Sequence, residues 1–221
     1  MDPSAGEQLI HALLADPETF KARGDDYQLL QQYFAGLPLE TLRPLLRSKE
    51  ILVQQAAVYV ASELGPDAGL LLDDVMLLLS SHDRFIRFHA MEVIAVCTQT
   101  QRFEDFAHVV QELESDDAVL RVLAMYLMSR VTASQLEGAH DRFAAGGTRA
   151  GKHHQGLATL LSADRVDPEL VRSMIRDSDP LVRRYGAIAA KRAQRFAAIL
   201  GELGESEDAD LREFHRQVVA P

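Results

Sequence analysis

The stretch Leu78-Leu79-Ser80-Ser81-His82-Asp83-Arg84-Phe85-Ile86-Arg87-Phe88-His89-Ala90 decides the fold. A leucine-rich run ends in a short polar turn. Asp83 follows, then Arg87 four positions on and Ala90 three after that. The same order returns at Leu113-Glu114-Ser115-Asp116-Asp117 with Arg121 and Ala124. It returns again at Met174-Ile175-Arg176-Asp177-Ser178-Asp179-Pro180 with Arg183 and Gly186. Weaker copies are Glu50, Gln54, Ala57 and Asp208, Arg212, His215. Lys152 lies midway between Arg121 and Arg183, which sets a register of Gln54, Arg87, Arg121, Lys152, Arg183 and Arg212 with spacings of 33, 34, 31, 31 and 29. A near-constant period of this length means stacked supersecondary units, each covering the apolar face of its neighbour.

Each unit reads as two helices. In the segment Arg84 to Cys97 the apolar residues Ile86, Ala90, Val93, Ile94 and Cys97 form a helical stripe rather than a period-two alternation. Asp83, Asp117 and Asp179 fall where a helix N-cap belongs, since a carboxylate there accepts from the orphan amides of the first turn. Pro180 follows at the first helical position, where its missing N–H costs nothing. The leucine-rich run Asp67 to Leu79 is expected to be the first helix of its unit, and no segment reads as a strand.

The unit Leu-Leu-x-Ser-x-Asp-x-x-x-Arg-x-x-Ala resembles the HEAT and HEAT-like repeats of α-solenoids. The resemblance implies an all-α, right-handed solenoid of about five or six helical hairpins. The expected single domain spans 1–221, with a helical cap over 1–37, repeats over 38–200 and an acidic capping helix over 201–221. It also implies a ladder of Asp–Arg hydrogen bonds between successive units, engaging Asp83, Arg87, Asp117, Arg121, Asp179 and Arg183. Gln54 and Lys152 depart from the Arg of that ladder, which leaves it open at those two units. In such solenoids the second helices line the concave surface.

Aligned on the Arg position, the second helices sort into faces. Ala90, Val93 and Ile94, then Ala124, Leu127 and Met128, then Gly186, Ala189 and Ala190 are small or apolar and should pack between layers. Val119 to Met128 is apolar but for Arg121, so that helix should be covered on most sides. The other face carries Tyr59 and Glu63, then Phe88, His89 and Glu92, then Tyr126 and Arg130, then Arg184, Lys191 and Arg192. Tyr and Arg are enriched at binding hot spots, so these ten residues are the expected partner-binding set.

The chain has 221 residues with a net charge of −10, no tryptophan and one cysteine, Cys97. A single cysteine excludes an intramolecular disulfide. The acidic balance disfavours general nucleic-acid or membrane-surface binding, both of which need clustered positive charge. The acidic start, with Asp2 and Glu7 and no apolar run, is unlike a secretory leader, and a cytoplasmic location is expected. Charge is uneven along the chain: residues 142–195 hold 11 basic and 5 acidic residues, a basic band between acidic ends. That band would suit an acidic surface or a phosphate, or it is paired internally.

Recognisable chemistry is sparse. Gly146-Gly147-Thr148-Arg149-Ala150-Gly151-Lys152 looks like part of a phosphate-binding loop, but His153 stands where a Ser or Thr should follow and a helix precedes it. The bland reading is an interhelical loop with Thr148 capping the next helix. His153 and His154 are adjacent and diverge by about 100° on a helix, which chelates poorly. HEAT-like DNA glycosylases use tryptophan in a basic groove, and this chain has neither. No catalytic, cofactor or metal residues are assigned. The expectation is a non-catalytic binder of a protein with a basic surface: a stoichiometric inhibitor or adaptor, such as an immunity protein neutralising a toxin. The rival expectations are an enzyme acting on nucleic acid or nucleotide through band 142–195, and a structural scaffold subunit.

Overall fold

A computed structural model describes residues 4–144 and 146–220. Among them every regular element is helical. The chain divides into two compact units, Met1–Cys97 and Thr98–Pro221.

The first unit opens with α1 (Ala5–Ala15), α2 (Pro17–Arg23) and α3 (Asp25–Phe34). Ser4 and Glu7 close α1 with a capping box, and Asp16 caps α2 ahead of Pro17. Gly24 ends α2 in the left-handed region at φ 71°, which lets α3 begin at the next residue. The expected N-terminal cap is therefore three helices. Two hairpins follow. In the first, α4 (Arg43–Leu46) precedes α5 (Ile51–Glu63); in the second, α6 (Leu72–Leu77) precedes α7 (Arg84–Cys97). The leucine-rich run is not one continuous helix, because 3-10 stretches at Gly65–Leu71 and Leu78–Ser80 flank α6. Val58, Val60, Leu71, Val75, Ile86 and Ile94 are fully buried between these layers. Asp74, buried at the base of α6, accepts from Arg43 at 2.6 Å and Arg47 at 2.5 Å.

The second unit holds four hairpins. They are α8 (Ala107–Gln111) with α9 (Ala118–Met128), α10 (Ala133–Phe143) with α11 (Thr148–Leu161), α12 (Pro168–Ile175) with α13 (Pro180–Arg192), and α14 (Ala197–Glu202) with α15 (Ala209–Val219). Asp117, Asp179 and Asp208 cap their helices as the register expects, and Asp83 accepts from the Ile86 amide at 3.0 Å in the first unit. Ala124, Met128, Gly186, Ala189 and Ala190 are buried, but Leu127 is half-buried and Val119 is 44% exposed. Helix α9 is thus less enclosed than its sequence suggests. The last hairpin packs its second helix, α15, on α9 and α13.

In three of these hairpins an Arg ties down its own turn. Arg121 donates to the Ser115 and Asp116 carbonyls, Arg183 to those of Asp177 and Ser178, and Arg212 to Ser206. Rungs between successive hairpins are Gln55–Asp83 at 2.9 Å, Lys152–Asp179, and Arg183–Asp208 at 2.8 Å. Lys152 does form a rung, since its long stem and ammonium reach the same carboxylate an Arg would. Gln55, not Gln54, meets Asp83, while Gln54 donates to the Leu46 carbonyl.

A polar relay crosses the core of this unit. His153 is buried, with Nδ1 2.9 Å from the Tyr185 hydroxyl and Nε2 3.1 Å from Glu114. A carboxylate only accepts, so Nε2 carries the proton and Nδ1 accepts from the phenol, which is the neutral imidazole. Burial pushes the His153 pKa down, with Glu114 opposing, and pushes the Tyr185 phenol well up. Phe143 stacks on the His153 ring at 4.8 Å. His154, one position on, points elsewhere and stacks on His140 at 3.9 Å.

Candidate functional site

In the first unit α5 and α7 pack side by side, and their shared face gathers an aromatic cluster. Phe85, Phe88 and Tyr59 surround His89, with ring centroids 4.3, 5.4 and 5.9 Å away in edge-on geometry. His89 Nδ1 lies 3.0 Å from Glu92 and 3.0 Å from Ser62 Oγ. Ser62 gives its proton to the Tyr59 carbonyl, so its oxygen is free to accept. Nδ1 therefore carries the hydrogen and is held between two acceptors. Lys21, from α2, lies over the Phe85 ring at 5.0 Å and donates to Gln55. Glu63 is exposed one turn beyond Tyr59. The Tyr59 phenol is pushed up by burial first, then by Glu63, Asp26 and Tyr27.

Four of the expected residues, Tyr59, Phe88, His89 and Glu92, are thus brought together, with Glu63 on the same face of α5. Sequence reasoning missed Phe85, Ser62, Lys21 and Asp26. Phe85 was discoverable, because it stands four residues before His89 on one helix and such pairs meet. Lys21 and Asp26 come from outside the repeats, where the register says nothing.

Tyr126 and Arg130 lie on α9 in the second unit and engage each other. Arg130 donates to the Tyr126 hydroxyl at 2.6 Å, its guanidinium 5.2 Å from the ring centroid.

The remaining three expected residues do not line an open face. Arg184 is buried; it donates to Asp210 at 3.0 Å and to the Leu113 carbonyl at 2.8 Å. Arg192 donates to the Met128 and Val131 carbonyls at 2.9 and 3.0 Å, and burial lowers its pKa. Lys191 donates to the Val218 carbonyl at 3.0 Å. The physical reason is the return of α15 onto α9. An open stack would leave the inner faces of α9 and α13 to solvent; here they meet α15 and one another.

The same pairing runs through the basic band. Nine of its eleven cations donate to carboxylates or carbonyls of this chain: Arg149, Lys152, Arg172, Arg176, Arg183, Arg184, Lys191, Arg192 and Arg195. A cleft of about 550 Å³ opens where Arg121, Arg149, Lys152 and Arg184 meet Glu114, Asp116 and Asp179. Arg149 and Lys152 pair with Glu114 and Asp179 of the cleft, and Arg121 and Arg184 with Asp210. The glycine-rich loop leads from α10 into α11, so a helix and not a strand precedes it. Gly147 takes the N-cap position without a side-chain bond, and Thr148 is the first helical residue rather than the cap. Among the described residues no helix is long and apolar enough to cross a membrane.

No protein-family model and no curated protein matches the sequence. Among solved structures, the chain is similar to an archaeal HEAT-like repeats protein from Thermococcus onnurineus NA1, at 14% identity and a TM-score of 0.51 over 99% of this chain and 97% of that one. An engineered protein aligns over 82% of this chain and 94% of its own, at 15% identity and a TM-score of 0.45. The full-length match to the archaeal protein, the six hairpins among the described residues and the capped Asp–Arg turns agree on one architecture: the fold is that of an all-α, HEAT-like repeat solenoid.

Proposed function

We propose that the protein works by binding another protein in a fixed ratio, as a cytoplasmic inhibitor or adaptor without chemistry of its own, and that its partner presents a basic surface. An immunity protein that covers the basic active-site cleft of a toxin is the specific form of this reading. The observation that carries it is the cluster of Tyr59, Phe85, Phe88, His89 and Glu92 on α5 and α7. Aromatic side chains with flanking carboxylates supply rigid contact area and electrostatic steering together. The first unit also concentrates negative charge, with 7 basic and 14 acidic residues in 1–97. The rival reading, an enzyme using band 142–195, is weakened by the internal engagement of that band. Co-purification from the native host tests the proposal. A stoichiometric partner should be retained, and Tyr59→Ala should weaken its affinity by about 2 kcal/mol, roughly 30-fold, in a protein that still melts cooperatively. Turnover of a nucleotide or nucleic acid by the pure protein would sink it.

A further inference from the structure

In the second unit α11 and α12 each pack on α13, and a groove of about 290 Å³ opens between them. Gly156 sets its floor. With no side chain at that position the Tyr185 ring lies against α11, where a Cβ would come within 2.4 Å of it. Leu170, Met174 and Val182 supply apolar walls, and Leu170 remains 49% exposed. The hydroxyl protons that border the groove are spent on their own helices. Thr159 donates to the Gln155 carbonyl at 3.1 Å and Ser173 to the Leu170 carbonyl at 2.8 Å. The groove is therefore a place for an apolar side chain.

Charge says what stands beside that side chain. Asp177 lines both this groove and a second cleft, of about 750 Å³, formed by the turns that precede α13 and α15. The cations of the region are engaged: Lys152 pairs with Asp179, Arg176 with Glu202 and Arg183 with Asp208. Among the described residues Asp177, Glu205 and Glu207 form no ion pair, and Glu205 and Glu207 are exposed. Three carboxylates without a counter-charge thus adjoin an apolar groove.

An apolar group alone would leave the carboxylates unpaired, and a cation alone would leave the groove wet; an occupant that carries both gains from desolvation and from charge complementarity. The carboxylates come from the turns of two successive hairpins, while the groove lies between α11 and α12. That spread suits a polypeptide better than a compact molecule. We propose that this face of the second unit binds a segment of a partner protein in which an apolar residue of leucine size is flanked by lysine or arginine. The site lies apart from the α5–α7 face and does not depend on it.

Fluorescence anisotropy tests this with a labelled pentapeptide that holds one leucine between two lysines on either side. Replacing its leucine by serine should weaken binding about tenfold, as loss of an apolar anchor does. On the protein, Ser173→Leu fills the groove and should weaken binding about as much; Ser173 is exposed, so the variant should melt like the wild type. Asp177→Asn and Glu207→Gln should each weaken it about threefold at physiological salt. Glu207 is exposed, which keeps the measurement decisive if Asp177→Asn disturbs its turn. No binding, full binding of the serine peptide, or binding indifferent to Ser173→Leu or to Glu207→Gln overturns the proposal. Octylammonium that binds as tightly as the peptide overturns it too, since the site would then belong to a small cationic amphiphile.

Discussion

Arg121 grips the carboxylate of Asp210 from two nitrogens, Nε at 2.7 Å and Nη2 at 3.0 Å, across 89 positions of chain. Arg184 donates to the same carboxylate at 3.0 Å. Burial alone would raise the Asp210 pKa, but the hydrogen bonds and charges of the two arginines outweigh it and hold the carboxyl below its usual value. Removing one partner of such a group leaves a buried charge uncompensated. Arg121→Ala should therefore destabilise the protein by about 3 kcal/mol, while Arg142→Ala, on the exposed end of α10, should stay within about 0.5 kcal/mol. Urea unfolding of both variants decides it, and equal midpoints would refute the internal role of Arg121.

The Glu114–His153–Tyr185 relay makes stability depend on pH with a defined sign. The folded protein holds His153 neutral with its pKa lowered, chiefly by burial. The unfolded chain takes up that proton near pH 6.5, its ordinary value. The unfolded state thus binds more protons, and the stabilisation is complete above pH 6.5 and is lost as pH falls below it toward the lowered folded value. His108, also lowered chiefly by burial, contributes in the same direction. The melting temperature should drop between pH 7.5 and 5.5, and His153→Gln should show a smaller drop. An unchanged slope in that variant would contradict the neutral assignment.

Two glycines of α11 should respond oppositely to alanine. A Cβ at Gly156 would lie 2.4 Å from the Tyr185 ring, which is locked in the core, whereas one at Gly151 meets nothing within 4 Å. Gly156→Ala should cost about 1–3 kcal/mol through overpacking. Gly151→Ala should gain about 0.5–1 kcal/mol by removing helix-interior glycine. Thermal melts of the two variants on either side of the wild type would bear this out.

Cys97 should be chemically quiet. Its thiol is buried, donates to the Gly65 carbonyl at 3.6 Å, and is pushed up to about 11 by burial and Asp67. The thiolate is the reactive form. Alkylation at pH 8 should proceed only as fast as the first unit opens, and should accelerate sharply in urea. Rapid labelling of the native protein would show that the pocket around α7 is open.

Much of this arrangement is legible in the sequence because it is local. The aspartate caps and the small residues of the packing faces recur at fixed positions of each repeat, where the register fixes geometry. The meeting of Tyr59 with His89 was legible too, as a relation between equivalent helices one repeat apart. Arg184 and Arg192 were misplaced for the opposite reason. The burial of Arg184 depends on α15 coming back to α9, a contact between the first and last hairpins of the unit, and that of Arg192 on α13 meeting the end of α9; no repeat period encodes either. Asp26 and Lys21 escaped for a related reason, since they belong to helices ahead of the repeats.

The closure of α15 onto α9 bears on how the polypeptide is made. A ribosome releases the chain from its N-terminus, and ordinary repeat arrays add stability one unit at a time as each emerges. Here the carboxylate that Arg121 and Arg184 share, Asp210, comes out near the end. A nascent chain stalled before residue 210 therefore lacks the carboxylate those two arginines share and leaves α9 uncovered by α15.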